Sequence, residues 1–288
     1  MNNNIRGFHG SDIERVADYY KIDKNCIINY ASNVNPLGLP KSAHDALPTL
    51  DAVISRYPDR DYASLKRTIS NYTNTNKKYI TVGNGSTELI SLLIHLQMPK
   101  KALVIRPTYS EYERELSMVG SEIEAYFLND SESFSLNIDG FMSHLDSSID
   151  MVVFCNPNNP TANAISTSDL KRIIKACDEY DIFLLIDETY AEFAPTDMNV
   201  SALPLIEEFD NFMVIRGASK LFCAPGLRFG YAITSNDAFI KHLRKDQNPW
   251  SLNSVGAYLG EIMLKDTQFI AETSNLISTE RLRIMDSF

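Results

Sequence analysis

The 288-residue sequence predicts a three-layer αβα fold, in which helices cover both faces of a mostly parallel sheet. Three observations lead to this prediction. Six short apolar runs have the length of buried strands, amphipathic stretches separate most of them, and polar loops follow the runs. Strands that alternate with helices form parallel βαβ units, and such sheets bind ligands beyond the carboxyl ends of their strands.

The predicted elements alternate regularly from residue 79 onward. The strands are expected at residues 79–82, 102–106, 123–128, 150–155, 182–186 and 212–216. Helical spacing occurs at residues 86–97, 110–119, 168–180 and 236–246. Earlier in the chain, helical stretches occur near residues 12–20 and 64–72. Between them lie a loop rich in Asn, Pro and Gly at residues 31–40 and a polar, aromatic loop at residues 56–62.

Composition limits the classes of partner. A net charge of −10 argues against nucleic acid, because a phosphate backbone is bound by clustered Lys and Arg. The four cysteines have no CxxC spacing, which favours reduced thiols over a disulfide framework or a metal site. The first residues do not resemble a signal peptide, and no apolar run approaches membrane-spanning length. We therefore expect a cytoplasmic protein that binds neither nucleic acid nor membrane.

Polar motifs follow the first two predicted strands. Gly85, Ser86 and Thr87 form a glycine turn that enters a helix, where N–H groups and the helix dipole can bind phosphate. A plain N-cap by Ser86 or Thr87 is an equally good interpretation. A dinucleotide fingerprint fits less well, because Glu88 replaces its third glycine. Tyr109, after the second strand, either stacks on a planar ligand or packs against the sheet.

Three later strand ends carry an amide, an acid and two cations. Asn159 lies between two prolines after the fourth strand. Asp187 directly follows the fifth, where a buried carboxylate needs an N–H or cationic partner, or a salt bridge to a helix in the plainer interpretation. Lys220 follows the sixth strand, where a loop is expected, and Arg228 comes eight residues later. These two cations suit an amine nucleophile beside an anion clamp, although a lone lysine there would more simply be a surface residue.

Pyridoxal 5′-phosphate requires this set of groups. Its aldehyde needs a lysine for a Schiff base, for which Lys220 is the candidate, and Asp187 would keep its ring nitrogen protonated. Asn159 and Tyr190 would donate to the ring phenolate oxygen, and Tyr109 would cover the ring face. Lys220, Asp187 and Tyr190 are the predicted catalytic residues. The predicted phosphate ligands are Gly85, Ser86, Thr87, Ser219 and Arg228.

The same loops resemble a known superfamily. NPxNPT at residues 156–161, a DExY-like acid at 187–190, and SK followed by GxRxG at 219–230 are similar to the fold-type I pyridoxal-phosphate enzymes, the class I/II aminotransferases. Residues 31–38 and 249–253 further resemble threonine-phosphate decarboxylases of the cobalamin pathway, with histidinol-phosphate aminotransferases the next most similar family. The resemblance implies decarboxylation of a small phosphorylated amino acid such as threonine phosphate, or, alternatively, transamination of a phosphorylated amine.

The resemblance also implies roles outside the strand ends. Tyr57 would reach the cofactor phosphate of a neighbouring subunit, which implies a homodimer, although Tyr57 could equally be a core aromatic. His9 and Asn33 would lie near the substrate, with a plain turn histidine as the alternative for His9. Two departures from the family pattern stand within the cofactor loops. Gly217 removes a hydroxyl from the phosphate cradle, and Ala162 replaces a glycine, a mild change unless that position needs a positive φ.

The resemblance predicts the domain organisation as well. We expect an N-terminal segment at residues 1–40, a cofactor-binding large domain at 41–250, and the start of an incomplete small domain at 251–288. Relatives continue beyond this point with arginines that bind the substrate's carboxylate or phosphate. A cofactor-binding homologue with little turnover therefore stays open, as does a nicotinamide-dependent dehydrogenase that would use residues 83–88.

Overall fold

A seven-stranded mixed sheet forms the centre of the computed structural model, which describes residues 12–195 and 197–287. The strand order is β1-β7-β6-β5-β4-β2-β3, and only β7 runs antiparallel to its neighbours. The predicted α/β class is therefore confirmed. The strands are β1 Ile80–Gly83, β2 Lys101–Arg106, β3 Glu122–Phe127, β4 Met151–Cys155, β5 Phe183–Asp187, β6 Phe212–Gly217 and β7 Gly230–Ile233.

Helices precede, separate and follow these strands. None of the helices in the described residues has both the length and the apolar character needed to cross a membrane. The α-helices are α1 Ile13–Tyr20, α2 Lys41–Ala46, α3 Leu50–Ile54, α4 Ala63–Thr73, α5 Ser86–Gln97, α6 Glu111–Met118, α7 Ile138–Met142, α8 Thr167–Asp178, α9 Ala218–Leu221, α10 Asp237–Asp246, α11 Ser254–Leu264 and α12 Thr267–Met285.

The central strands are apolar throughout because the sheet is covered on both faces. Along β5, Leu184 and Ile186 face one buried cluster, whereas Leu185 between them faces the other. Successive strand residues point to opposite faces, so a strand buried on both sides reads as a continuous apolar run. This arrangement produces the three predicted layers and aligns the carboxyl ends of the parallel strands along one edge.

Two local features differ from the sequence-based expectations. The sequence pattern did not predict the last strand, β7, which begins with a glycine and, at only four residues, is too short to show a clear period. It is held by antiparallel pairing with β1 on one side and β6 on the other. In addition, the segment after β6 is the short helix α9 and not a loop, because the Ala218 N–H bonds Phe229 O and the chain then turns helically.

Replacing Ala162 with glycine is expected to raise the free energy of unfolding by about 0.5–1 kcal/mol. Ala162 has a φ of 61°, so the change from glycine at this position is not mild. Glycine adopts this left-handed conformation without strain, which stabilises the folded state by about 1–2 kcal/mol. Glycine also makes the unfolded chain more flexible, which costs only roughly 0.4–1 kcal/mol of stability. Urea denaturation measures the change. The matched variant Ala164→Gly should lower stability, and a loss for both variants would contradict the argument.

Candidate active site

Lys220 lies inside the site and is not a surface lysine. Its side chain is half-buried in α9, and Nζ donates to the carbonyl of Ser32 at 2.6 Å. Nζ also lies 5.9 Å from the ring centroid of Tyr190. Burial lowers the pKa of Lys220, and the charge of Asp187 opposes that shift only in part. A larger neutral fraction of the amine follows, which favours a nucleophilic role.

Asp187, the last residue of β5, is held by hydrogen bonds. Its Oδ1 accepts from the Thr189 N–H at 2.9 Å and from the Thr189 hydroxyl at 2.5 Å, whereas Oδ2 accepts from the Tyr112 hydroxyl at 2.8 Å. Burial raises the pKa of Asp187, and these donors and the charge of Lys220 act against the increase. The proposed salt bridge to a helix is wrong, since Asp187 has no ion pair within 4 Å in the described residues.

The glycine turn before α5 has the form of an anion cradle. Gly85 is the N-cap residue with a φ of 91°, and no side chain caps the helix, so the capping interpretation for Ser86 or Thr87 is wrong. A Cβ placed on Gly85 would lie 2.5 Å from Nη2 of Arg228, which puts the guanidinium directly against the turn. Uncapped N–H groups beside a guanidinium fit a phosphate, and Ser219 lies half-buried beside Lys220.

Tyr109 connects the cradle with the acid. A side-chain hydrogen bond joins its hydroxyl to Thr87, and both Asp187 and Arg228 lie near enough to influence its pKa, which burial raises. The ring also makes an edge contact with Tyr112, at a centroid distance of 5.6 Å. Tyr109 is also partly buried against the core, so the packing interpretation is met in part.

The amide and the phenol line a cavity of about 750 Å³. Asn158 uses its amide within the loop, bonding Pro107 O at 3.0 Å and the Thr161 hydroxyl at 2.9 Å. No hydrogen bond joins the Asn159 amide to any residue that the structure describes, so that amide is available to a ligand. Burial raises the pKa of Tyr190 to about 12, and a hydrogen bond from Asn33 opposes the shift. Other residues lining the cavity are Asn33, Ile138, Phe193, Met198 and Arg281.

The Asn-rich loop at residues 31–38 is hydrogen-bonded to the lysine segment, residues 218–221, which carries Lys220. The N–H of Asn35 donates to Lys220 O at 3.0 Å, and its side-chain amide donates to Leu221 O at 2.7 Å. The same amide donates to the Thr273 hydroxyl on α12 at 2.7 Å. Asn35 is only 2% exposed. Sequence reasoning placed this loop near the substrate through Asn33 but did not identify Asn35 as its anchor.

The structure describes one of the two remaining predicted residues, Tyr57 and His9. Tyr57 is 83% exposed and contacts the ring of Trp250, so the core interpretation is wrong. His9 lies outside the described residues. The fold gives a steric reason for glycine at position 217. A Cβ there would lie 3.3 Å from the Phe229 carbonyl oxygen, which accepts a hydrogen bond from the Ala218 N–H.

Beside the site lies a buried ionic cluster that the sequence analysis missed. Arg216 donates to Glu188 Oε2 through Nη2 at 2.6 Å and through Nε at 3.0 Å, and to Glu192 Oε1 through Nη1 at 3.0 Å. The Tyr72 hydroxyl donates to Glu192 at 2.9 Å. The sequence offers a signal for this cluster: Arg216 is a charged residue in an otherwise apolar strand, and Glu188 and Glu192 follow the neighbouring strand β5. The ends of these two parallel strands lie at the same edge of the sheet.

Comparisons with known proteins give consistent matches. A family model described as aminotransferase class I and II matches residues 25–287. Threonine-phosphate decarboxylase of Salmonella typhimurium is 31% identical over 275 residues, covering 96% of this chain and 75% of that protein. The histidinol-phosphate aminotransferase structure from Clostridium acetobutylicum is 32% identical, with a TM-score of 0.82 over 89% of this chain and 75% of that one. A Sinorhizobium meliloti histidinol-phosphate aminotransferase, solved with pyridoxal-5'-phosphate, shares the fold at 20% identity, with a TM-score of 0.77 over 88% of this chain and 68% of that one.

Proposed function

Since the chain belongs to the class I and II aminotransferase family and is therefore a pyridoxal-phosphate-dependent enzyme, we propose that it decarboxylates a small phosphorylated amino acid, with threonine phosphate as the substrate. The observation that carries the proposal is the placement of Lys220. Its half-buried amine lies beside the charge of Asp187 and below the Asn-rich loop, whose Ser32 carbonyl it contacts.

The residues at the sheet edge would hold the cofactor as follows. The turn at Gly85, Ser86 and Thr87, together with Ser219 and Arg228, would bind the phosphate. Asp187 would pair with the ring nitrogen, and Tyr109 would cover the ring. Asn159 and Tyr190 would donate to the phenolate oxygen. When bound, the cofactor withdraws electrons from the Cα of an amino acid attached to it.

The chain's own groups would supply the remaining chemistry. The lowered pKa of Lys220 leaves Nζ neutral more often, so that it can attack a carbonyl carbon or carry a proton to and from Cα. Asp187, whose carboxylate accepts three hydrogen bonds, would supply a fixed negative charge. Asn33, on the cavity wall, would orient the substrate. His9 would take part in the same task.

Amino transfer is the alternative reaction, and it rests on the similarity to histidinol-phosphate aminotransferase. Both reactions use the same cofactor residues, so the groups that orient the substrate decide between them. The similarity of the Asn-rich loop to decarboxylases favours decarboxylation. A cofactor-binding homologue with little turnover is the third possibility, and it predicts a bound cofactor without product.

The purified chain, loaded with pyridoxal phosphate, should release carbon dioxide from L-threonine phosphate without any keto acid. In a parallel reaction, histidinol phosphate and a keto acid serve as the test pair for amino transfer. Keto-acid-dependent amino transfer without carbon dioxide release would replace the decarboxylase proposal with the aminotransferase. A loaded protein that does neither would support the third possibility.

Replacing Lys220 with alanine is expected to abolish the absorbance band of covalently bound cofactor near the edge of the visible range. The amine is the group that would bond the cofactor, and alanine cannot form that bond. Absorbance spectra of the wild type and the variant, each mixed with the cofactor, measure the effect. Lys265→Ala, on an exposed lysine after α11, is the control and should keep the band. An unchanged band in the Lys220 variant would show that Lys220 is not the residue that bonds the cofactor.

We also propose a cytoplasmic homodimer in which Tyr57 contributes to the partner's cofactor site. Its 83% exposure in one chain leaves the phenol available for such a contact. The proposed organisation is an N-terminal segment at residues 1–40, a large domain at 41–250 and part of a small domain at 251–288. Sedimentation of the wild type and of a Tyr57→Phe variant, together with cofactor titration, tests whether the phenol acts across an interface.

A further inference from the structure

The Tyr112 hydroxyl contacts the predicted acid of the cofactor site, although sequence reasoning gave Tyr112 no role. It has no exposed surface, lies on α6, and donates to Asp187 Oδ2 at 2.8 Å. The opposite oxygen, Oδ1, already accepts both donors of Thr189. Each carboxylate oxygen therefore has a protein donor, and the plane of the carboxylate is fixed from two sides.

Besides Asp187, the Tyr112 hydroxyl has the thiol of Cys155 as a hydrogen-bond neighbour. Cys155 lies next to Asp187 in the β4–β5 register, and its thiol donates to Pro157 O at 3.1 Å. The neighbouring ring of Tyr109 meets the Tyr112 ring edge-on. Among the described residues, Asp187 is the carboxylate to which the Tyr112 hydroxyl donates. An uncompensated hydroxyl in this position would be costly, so the phenol and the acid stabilise each other's placement.

We propose that Tyr112 is a positioning residue that holds Asp187 ionised and oriented toward the cofactor's ring nitrogen. The inference rests on the proposed role of Asp187 at that nitrogen. A hydrogen bond to the charged form of a carboxylate favours that form, whereas burial disfavours it. Because the acid is buried, removing one of its donors shifts this balance toward the neutral acid. A neutral acid no longer keeps the ring nitrogen protonated, and the cofactor then loses electron-withdrawing power.

Tyr112→Phe in the cofactor-loaded full chain tests the proposal without substrate. We expect cofactor binding to weaken about tenfold, the scale of one charged hydrogen bond. The pH midpoint of the cofactor's visible absorbance band should rise by about one unit. The reason is that a less electron-poor ring makes the Lys220 nitrogen, through which the cofactor would be bonded, more basic. Thr189→Val, which removes the hydroxyl donor on Oδ1, should shift both readouts in the same direction.

Tyr79→Phe is the matched control, because Tyr79 is also a buried phenol that donates to a carboxylate, Glu207, at 3.0 Å. Circular dichroism establishes whether each variant is folded. A folded Tyr112 variant with unchanged affinity and unchanged midpoint would overturn the proposal, as would equal shifts in the Tyr79 variant. If Tyr112→Phe does not fold, an unshifted Thr189→Val would likewise overturn it. A wild type that shows no visible band would instead contradict the cofactor assignment, so the two failures are distinguishable.

Discussion

Replacing Arg216 with methionine is expected to lower the free energy of unfolding by about 3–5 kcal/mol, the cost of leaving one partner of a buried ion pair without the other. Arg216 is 11% exposed, and Glu188 is fully buried. Methionine fills much of the same volume but leaves the carboxylates of Glu188 and Glu192 without their cation. Neutralising Glu188 with glutamine in the same chain should restore part of the loss, because the uncompensated buried charge is then removed.

Guanidinium denaturation of the single and double variants measures both effects. Arg172→Met is the control, since Arg172 pairs with Asp139 and Asp169 on an exposed surface and should matter far less. An Arg216→Met variant as stable as the wild type would show that the cluster contributes no net stability. A double variant less stable than the single one would contradict the charge argument and point to lost packing.

Gly230→Ala should lower stability by about 1–3 kcal/mol, the usual cost of forcing extra volume into a packed site, and should weaken cofactor binding as well. A Cβ on Gly230 would lie 2.6 Å from both the Gly85 carbonyl carbon and the Ser86 nitrogen. Both atoms belong to the backbone of the cradle, so β7 and the turn must move apart. The displaced turn then presents its N–H groups in the wrong place for a phosphate.

Chemical denaturation measures the loss of stability, and cofactor titration measures the loss of cofactor affinity. Gly226→Ala is the matched control, because nothing lies within 4 Å of a Cβ at Gly226. If the Gly230 variant were destabilised but bound the cofactor with wild-type affinity, the turn would not be the cofactor's phosphate site. Equal losses in both variants would refute the steric explanation.

The sequence predicted the parts of the molecule that depend on local pattern. The apolar run at residues 182–186 became β5 because burial on both faces needs apolar side chains throughout. The family and the cofactor, inferred from motifs that follow the strands, are confirmed. Those motifs occupy strand ends, and parallel strands bring their carboxyl ends to one edge without further information.

Contacts between distant segments could not be predicted in the same way. Tyr112 and Asp187 are 75 residues apart, and the helical pattern around Tyr112 indicates only that it faces the core. The strand β7 depends on two partners from elsewhere in the chain and is too short to show a period. Arg216 is the penultimate residue of β6, and the sequence indicates only that acids follow β5; which of these acids pair with Arg216 depends on how β5 and β6 lie side by side.

The anchoring of Asn35 has a consequence for the order in which the site is assembled during synthesis. Its amide bridges the backbone beside Lys220 and the hydroxyl of Thr273, which are 186 and 238 residues away along the chain. Contacts of such long separation form only after the intervening chain exists, and ribosomes add residues from the N-terminus onward. A nascent chain can therefore pair its strands before the Asn35 amide has made both of these hydrogen bonds. The Lys220 amine accordingly acquires its final surroundings late.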